Sequence, residues 1–463
     1  MRTRFINLRI PANGNETIES ELLVEDDKIR SVHPAGDVES ETEGTVDLGG
    51  ALVLPGVIDA HVHFDDPGFT HREDFATGTA AAAAGGVTTI VDMPCTSLPP
   101  VTSLAALRNK LEVITPKAHV DYMLWGGVSD NALAEPQWQQ NLQEIVEEGV
   151  AAIKIYFLSG METFRDVSRQ QAREVLQQTK SLGIPVGVHA EDRGMVRKLQ
   201  ADLQAAGDNS LEAYAASRPA GAEIAAVARL RELSHETGAA IHIVHVGSAG
   251  VVDLVSAAKR EGLPMTAETC PHFLAFTAQD LLDQGSVLKT APVVKTESDR
   301  DRLWQALASR ELDFVATDHA AGAWPEEKET GSAWTDYGGV PGVELSLPYL
   351  YSEGVGQGHI TLERMTELLA GAPARFLGID HLKGRLAPGL DADFVVFEEQ
   401  EEWTVSAQNL HNKNCYTPLE GQRLVGRVRE VYLRGKRIYR RRQDGDEKFA
   451  GPGVGQWVKR KRP

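Results

Sequence analysis

Two histidines one residue apart carry the first chemical signal. They lie in Asp59-Ala60-His61-Val62-His63, at the end of an apolar run. On a strand, residues i and i+2 point to the same side, so His61 and His63 can grip one metal ion. Two unrelated histidines on a surface strand would give the same spacing, so the pair needs its context. The chain has three cysteines, Cys95, Cys270 and Cys415, far apart and with no Cys-x-x-Cys. A disulfide framework is excluded, and any zinc site must draw on histidine and carboxylate ligands.

Such a pair must be positioned by a scaffold. From Ala51 onward, apolar strand-like runs alternate with helical stretches, the mark of parallel βαβ units. Eight runs can be counted: Leu52–Phe64, Val87–Met93, Val120–Val128, Val150–Phe157, Pro185–Ala190, Ala240–Val246, Met265–Cys270 and Asp313–Asp318. Between them lie helical stretches such as Asp74–Ala84, Ser168–Leu182, Ala222–Glu236 and Ser298–Ser309. An α/β fold with a (β/α)8 TIM barrel is expected, though two doubly wound sheets would give a similar count. His61 and His63 then sit at the C-terminal end of the first strand, where barrel enzymes place their sites. Both ends of the chain read as short strands and turns. One small β-sandwich domain is therefore expected from the two termini, with the barrel inserted between. The expected division is 1–54 and 378–445 for the small β domain, 55–377 for the barrel and 446–463 for a basic tail, read as solvated.

The 463 residues are 42 % hydrophobic and 24 % charged, with a net charge of −19. That composition suits a globular protein with a large core. The acidic balance argues against nucleic acid as a partner. No apolar run is long enough to span a membrane, and the N-terminus lacks a signal-peptide core, so no membrane partner and a cytoplasmic location are expected.

The run Leu54-Pro55-Gly56-Val57-Ile58-Asp59-Ala60-His61-Val62-His63 resembles the amidohydrolase superfamily, and within it the cyclic amidohydrolases: dihydroorotase, allantoinase and hydantoinase. The likeness continues through Pro67-Gly68, Glu73, Thr77-Gly78-Thr79-Ala80 and Gly85-Gly86-Val87-Thr88-Thr89 to Met93-Pro94. It resumes near Lys154, His189, His245, Cys270-Pro271-His272, Asp318-His319 and Lys383–Asp393. The resemblance implies two divalent metal ions, usually zinc, at the barrel mouth. His61 and His63 match the ligands of the more buried metal. Lys154 matches a lysine that CO2 converts to a carbamate bridging both metals. An ammonium could not do so, having no lone pair. His189 and His245 match the ligands of the second metal, and Asp318 the last ligand and the catalytic carboxylate. The implied reaction is attack of metal-bound hydroxide on a ring carbonyl, with Asp318 passing the water proton to the leaving nitrogen. The intervals of 91, 35, 56 and 73 residues correspond to about three, one, one to two and two βα units of roughly 31 residues, which places the ligands on strands 1, 4, 5, 6 and 8. His242 faces away from His245 and is read as structural. Glu191 is read as supporting or surface. His272 and His319 adjoin the site, in ligand support or substrate contact.

The substrate is read from departures within the family. Dihydroorotases usually carry an arginine two residues after the His-x-His pair, an asparagine after Met-Pro and a second histidine after Asp-His-Ala-Pro. Here Asp65, Cys95 and Gly322 stand at those places. An aspartate there would repel a substrate carboxylate, unless Arg72 or another loop residue compensates. The expectation is therefore an allantoinase-like enzyme, opening allantoin to allantoate. Dihydroorotase is the alternative, hydantoinase ranks third, and a non-catalytic scaffold relative comes last. Candidate substrate contacts are Asp65, Cys95, His272, His319 and Gly322. By resemblance the chain forms a homodimer or homotetramer. Loop 320–339, with Trp324 and Trp334, is either part of the substrate pocket or plain surface.

Overall fold

The computed structural model describes residues 2–36, 43–442 and 444–461. Four strands open the chain: β1 (Arg2–Pro11), β2 (Thr17–Glu25), β3 (Lys28–Pro34) and β4 (Gly44–Pro55). The barrel strands follow: β5 (Val57–Val62), β6 (Val87–Asp92), β7 (Asp121–Leu124), β8 (Gly126–Gly127), β9 (Ile153–Tyr156), β10 (Val186–His189), β11 (Ile241–Ile243), β12 (Met265–Thr269) and β13 (Phe314–Val315). β7 and β8 are one barrel position interrupted at Trp125, whose N–H reaches Asp92 O at 2.9 Å. All recorded pairings among β5 to β13 are parallel. The ring closes where His63 N donates to His319 O at 2.7 Å. These strands are buried on both faces, which is why they read as near-continuous apolar runs. Trp125 fills the barrel interior, its indole N–H on Ala60 O at 2.9 Å. Gly187 must lack a side chain there, since a Cβ would come 2.6 Å from the Trp125 ring.

The helices begin where capping chemistry sets them. Asp74 caps Phe75–Ala84 by accepting from Ala76 N and Thr77 N. Ser168 and Gln171 form a reciprocal capping box at Arg169–Leu182, satisfying two otherwise orphaned donors.

The chain closes with β14 (Phe394–Thr404), β15 (Arg423–Leu433), β16 (Lys436–Arg441) and β17 (Glu447–Phe449). Strands from both ends join one continuous eight-stranded sheet, in the order β17-β16-β15-β14-β4-β1-β2-β3. The apolar run 52–64, expected as one barrel strand, divides at Gly56. Its first half pairs with β14, Leu54 opposite Val395. Its second half pairs with β6. A Cβ on Gly56 would lie 2.2 Å from Thr88 Oγ1, so only glycine passes here. Both halves are buried, so hydrophobicity could not reveal the break.

The basic C-terminal stretch, expected as a solvated tail, is packed. Tyr122 N donates to Gln456 O at 3.0 Å, and Val458 N to Tyr122 O at 2.8 Å. Arg460 spends its guanidinium on Ala151 O and Phe376 O. Arg462 lies outside the described residues. Nearby, Lys383 sits among Asp121, Asp391 and Asp393, and Arg434 pairs with Asp121. This buried network ties the turn after residue 382 and the terminal strands to β7.

Candidate metal centre and active site

The C-terminal ends of the strands bring six separated residues together. His61 and His63 follow one another along and just past β5, Lys154 lies on β9, and His189 ends β10. His245 lies two residues past β11 and Asp318 three past β13. His245 and Asp318 both have positive φ, 42° and 49°. Non-glycine residues rarely adopt that region, and where they do the fold holds them there at a cost. Each turns its side chain back toward the others.

The Asp318 Oδ1 atom lies 3.1 Å from His61 Nε2 and 3.1 Å from His63 Nε2. One ligand atom from each of these three residues falls within 4.8 Å of the others. His189 Nδ1 lies 3.1 Å from His245 Nε2. The His61 and His245 rings are 5.5 Å apart, centre to centre, which joins the two pairs. Lys154 is fully buried, and its Nζ has no hydrogen-bond partner among the described residues.

Two buried glutamates set the imidazole tautomers. Glu268 accepts from His61 Nδ1 at 2.6 Å and from His242 Nε2 at 3.1 Å. Burial pushes the Glu268 carboxyl up, but the His61 and His242 imidazoles outweigh it and hold it at about 2. Glu191 takes His189 Nε2 at 2.7 Å and is paired with Arg218. Burial raises it too, but Arg218 and His189 hold it well below the usual carboxylate range. With its proton at Nδ1, His61 turns the Nε2 lone pair toward the Asp318 carboxylate, and that nitrogen makes no hydrogen bond. Two electron pairs facing at 3.1 Å repel unless a cation lies between them. Burial also holds His189, His245 and Lys154 below their ordinary values, toward neutral forms that can donate an electron pair. Nitrogen and oxygen donors in this number and chemistry fit divalent cations of the zinc type.

A cavity of about 260 Å³ opens over the group, reached by His63, Tyr156, His189, His245 and Asp318. Of the sequence-derived substrate candidates, Cys95 lines it, its Sγ 3.1 Å from Tyr156 Oη. The other four do not line it. Asp65 is buried with both carboxylate oxygens unpartnered among the described residues. His319 accepts from Gly342 N and Val343 N at 3.2 Å each, fixing the loop after strand 8. His272 is buried beside Phe273, and burial lowers it to about 4. Gly322 donates to Tyr416 Oη at 2.9 Å, and a Cβ there would meet the Tyr337 ring at 2.7 Å. Arg72, weighed as a compensating cation, is forked onto Glu327 at 2.8–3.0 Å and stacked on Tyr337, and does not reach the cavity. His242 is structural, as expected, bonded to Thr266 and stacked on Phe314.

Tyr156, Arg218, Tyr337 and Gly338 reach the cavity and were not singled out from the sequence. Tyr156 could have been found, since it follows Lys154 at i+2 and shares its face. The others sit on loops, where no periodicity marks direction.

A family model described as "Amidohydrolase family" matches residues 52–438. Curated relatives named allantoinase include one from Streptomyces avermitilis, 38 % identical over 85 % of each chain. One from Rubrobacter xylanophilus is 36 % identical, over 95 % of this chain and 94 % of its own. One from Arabidopsis thaliana is 34 % identical, over 89 % of this chain and 81 % of its own. Among solved structures, the L-hydantoinase (dihydropyrimidinase) of Arthrobacter aurescens superposes with a TM-score of 0.93 at 30 % identity, covering 99 % of each chain. The dihydropyrimidinase of Brevibacillus agri gives 0.91 at 29 %, covering 100 % of this chain and 99 % of its own. The chain belongs to the amidohydrolase family. Within it, the chain is an allantoinase-like cyclic amidohydrolase, a hydrolase of C–N bonds in cyclic amides.

Proposed function

We propose that the chain opens the hydantoin ring of allantoin, hydrolysing a ring amide to give the ureido acid allantoate. The observation that carries this reading is the charge of the cavity. Its two arginines are already engaged, Arg218 by the buried Glu191 and Arg197 by Asp166, which it shares with Arg193. No unpaired cation lines the cavity among the described residues. Asp65 is buried and does not line it, and burial pushes its carboxyl well above the usual range. Such a site suits a neutral ureide better than a ring bearing a carboxylate. The similarity to chains named allantoinase supports the same substrate.

His61, His63, His189, His245, Asp318 and an N6-carboxylated Lys154 would hold two divalent ions, zinc by the donor chemistry. Such ions supply Lewis acidity that activates water and polarises a ring carbonyl. The protein does the rest. Glu268 and Glu191 hold the imidazoles in the tautomers that leave their donor atoms free. Asp318, a carboxylate placed between two imidazoles, takes the proton from the attacking water and returns it to the ring nitrogen as the C–N bond breaks. Tyr156 aims its ring and hydroxyl into the cavity from the lysine side, stacked on His189 at 5.2 Å. The enclosed walls hold the ring close to the carboxylate, lowering the entropic part of the barrel-mouth reaction.

The test is a side-by-side turnover assay of the zinc-loaded, bicarbonate-treated protein on allantoin and dihydroorotate. Turnover of allantoin with none of dihydroorotate is expected. Turnover of dihydroorotate alone would overturn the substrate and show that an arginine in the cavity leaves its carboxylate to bind the substrate's.

A further inference from the structure

Lys328 is a buried cation far from any catalytic role. Its side chain is fully enclosed, yet it makes no ion pair with a carboxylate among the described residues. Its Nζ instead donates to three backbone carbonyls: Gly339 O at 2.7 Å, Tyr337 O at 3.1 Å and Lys289 O at 3.3 Å. Three acceptors match the three N–H groups of an ammonium. Burial and the nearby Lys289 work against that charge, Asp336 and Glu327 favour it from beyond ion-pair distance, and the three carbonyls accept its N–H groups.

Those carbonyls belong to two separate stretches that together wall the cavity. Ala291 comes from one, and Tyr337 and Gly338 from the other. The stretches are stitched directly by Gly339 N to Lys289 O at 2.9 Å. Gly339 is pressed so closely on the end of strand 8 that a Cβ would lie 2.3 Å from Ala320 O. Loop 320–339 therefore divides its labour. Ala320, Tyr337 and Gly338 face the cavity, while Trp324 stacks on Tyr416 and Trp334 packs on Tyr214.

We propose that Lys328 is a positioning residue that fixes this wall, joining the 289–291 and 337–339 stretches through one buried ammonium so that the substrate cavity stands preformed. It does not line the cavity and bonds none of the six candidate metal ligands, and acts through the backbone it holds. The kinetic part of the test rests on the allantoin reading; the exchange part does not.

The experiment compares wild type with Lys328→Met and Lys328→Gln, by amide hydrogen exchange and by steady-state kinetics on allantoin, with zinc content measured in parallel. In Lys328→Met, segments 286–292 and 320–339 should exchange about tenfold faster or more, while peptides from β9 and β10 stay unchanged. KM should rise about tenfold with kcat and zinc content near wild type, because a loosened wall weakens binding and leaves the reacting groups alone. Lys328→Gln, which keeps two N–H donors, should fall between. If the Met variant fails to fold, the Gln variant carries both readings. Wild-type exchange in the two segments of a folded variant would overturn the proposal. So would a loss confined to kcat with KM untouched. A wild-type chain inactive on allantoin would sink the substrate reading alone, since the exchange measurement needs no substrate.

Discussion

Replacing Glu268 by glutamine changes one charge at almost constant volume, in a place where the structure states what that charge does. Glu268 is fully buried and bonds His61 Nδ1 at 2.6 Å and His242 Nε2 at 3.1 Å. A glutamine accepts from only one of these rings and must donate to the other. If it accepts from His61, His242 shifts its proton to Nδ1, where Thr266 Oγ1 waits at 2.8 Å. The fold therefore survives, with no cavity opened. What is lost is the charge assistance of the His61 bond, since a bond to a charged group contributes about 1.5–3 kcal/mol against about 1 kcal/mol for a neutral one. The ring becomes a poorer electron donor, and part of the population holds the tautomer with Nε2 protonated. Both effects fall on metal affinity, and supporting partners of this kind typically carry about 10–100-fold. We expect Glu268→Gln to weaken zinc binding by that factor, read by competition with a chromogenic chelator, with kcat/KM restored at saturating zinc. A folded Glu268→Gln protein with wild-type zinc affinity would refute the reasoning, since His61 would then need no carboxylate behind it.

Arg218→Met leaves the Glu191 carboxylate buried without its cation, a loss of about 3–5 kcal/mol in urea unfolding; adding Glu191→Gln should recover part of it, and no recovery would contradict the pairing. His411 lies between Glu344 and Glu447 at 3.0 and 2.8 Å. Burial opposes its charge, but the two carboxylates outweigh it and raise it from 6.5 to about 10. Folding thus binds this proton more tightly, so its contribution is full below pH 6.5 and fades as pH rises toward 10. The stability gap between wild type and His411→Gln should shrink over that window in urea titrations at several pH values, and a gap that grows with pH would be the wrong sign. Gly455→Ala puts a Cβ 1.9 Å from Val120 O; displacing the terminal stretch should cost about 1–3 kcal/mol and expose residues after 450 to protease, whereas a resistant, wild-type-stable variant would mean the stretch does not anchor there.

The sequence made the barrel legible because its strands are apolar runs, several of them carrying a residue with chemistry in or just past the strand. His61 and His189 lie in the last two residues of their strands, Lys154 lies within β9, and Asp318 follows β13 by three residues. What lay hidden was set by tertiary partners. Gly56 looks like one more small residue in an apolar run, and only Thr88 across the sheet makes it a boundary. The terminal arginines and lysines read as solvent-facing by charge, yet Arg460 finds two carbonyls that no local pattern announces. Glu268 and Glu191 could not be ranked from spacing, because their roles depend on His61 and Arg218, far away in the chain. His272, His319 and Gly322 stand near candidate site residues in sequence, and none of the three lines the cavity.

The central claim is that six residues, one of them a carboxylated lysine, build a two-metal centre. Its most direct test is the zinc content per chain of wild type and Lys154→Ala, each loaded with bicarbonate present and dialysed. Two ions per chain in the wild type and at most one in the variant are the expected result. Two ions in both would contradict the bridging role of Lys154 and the account of the site built on it.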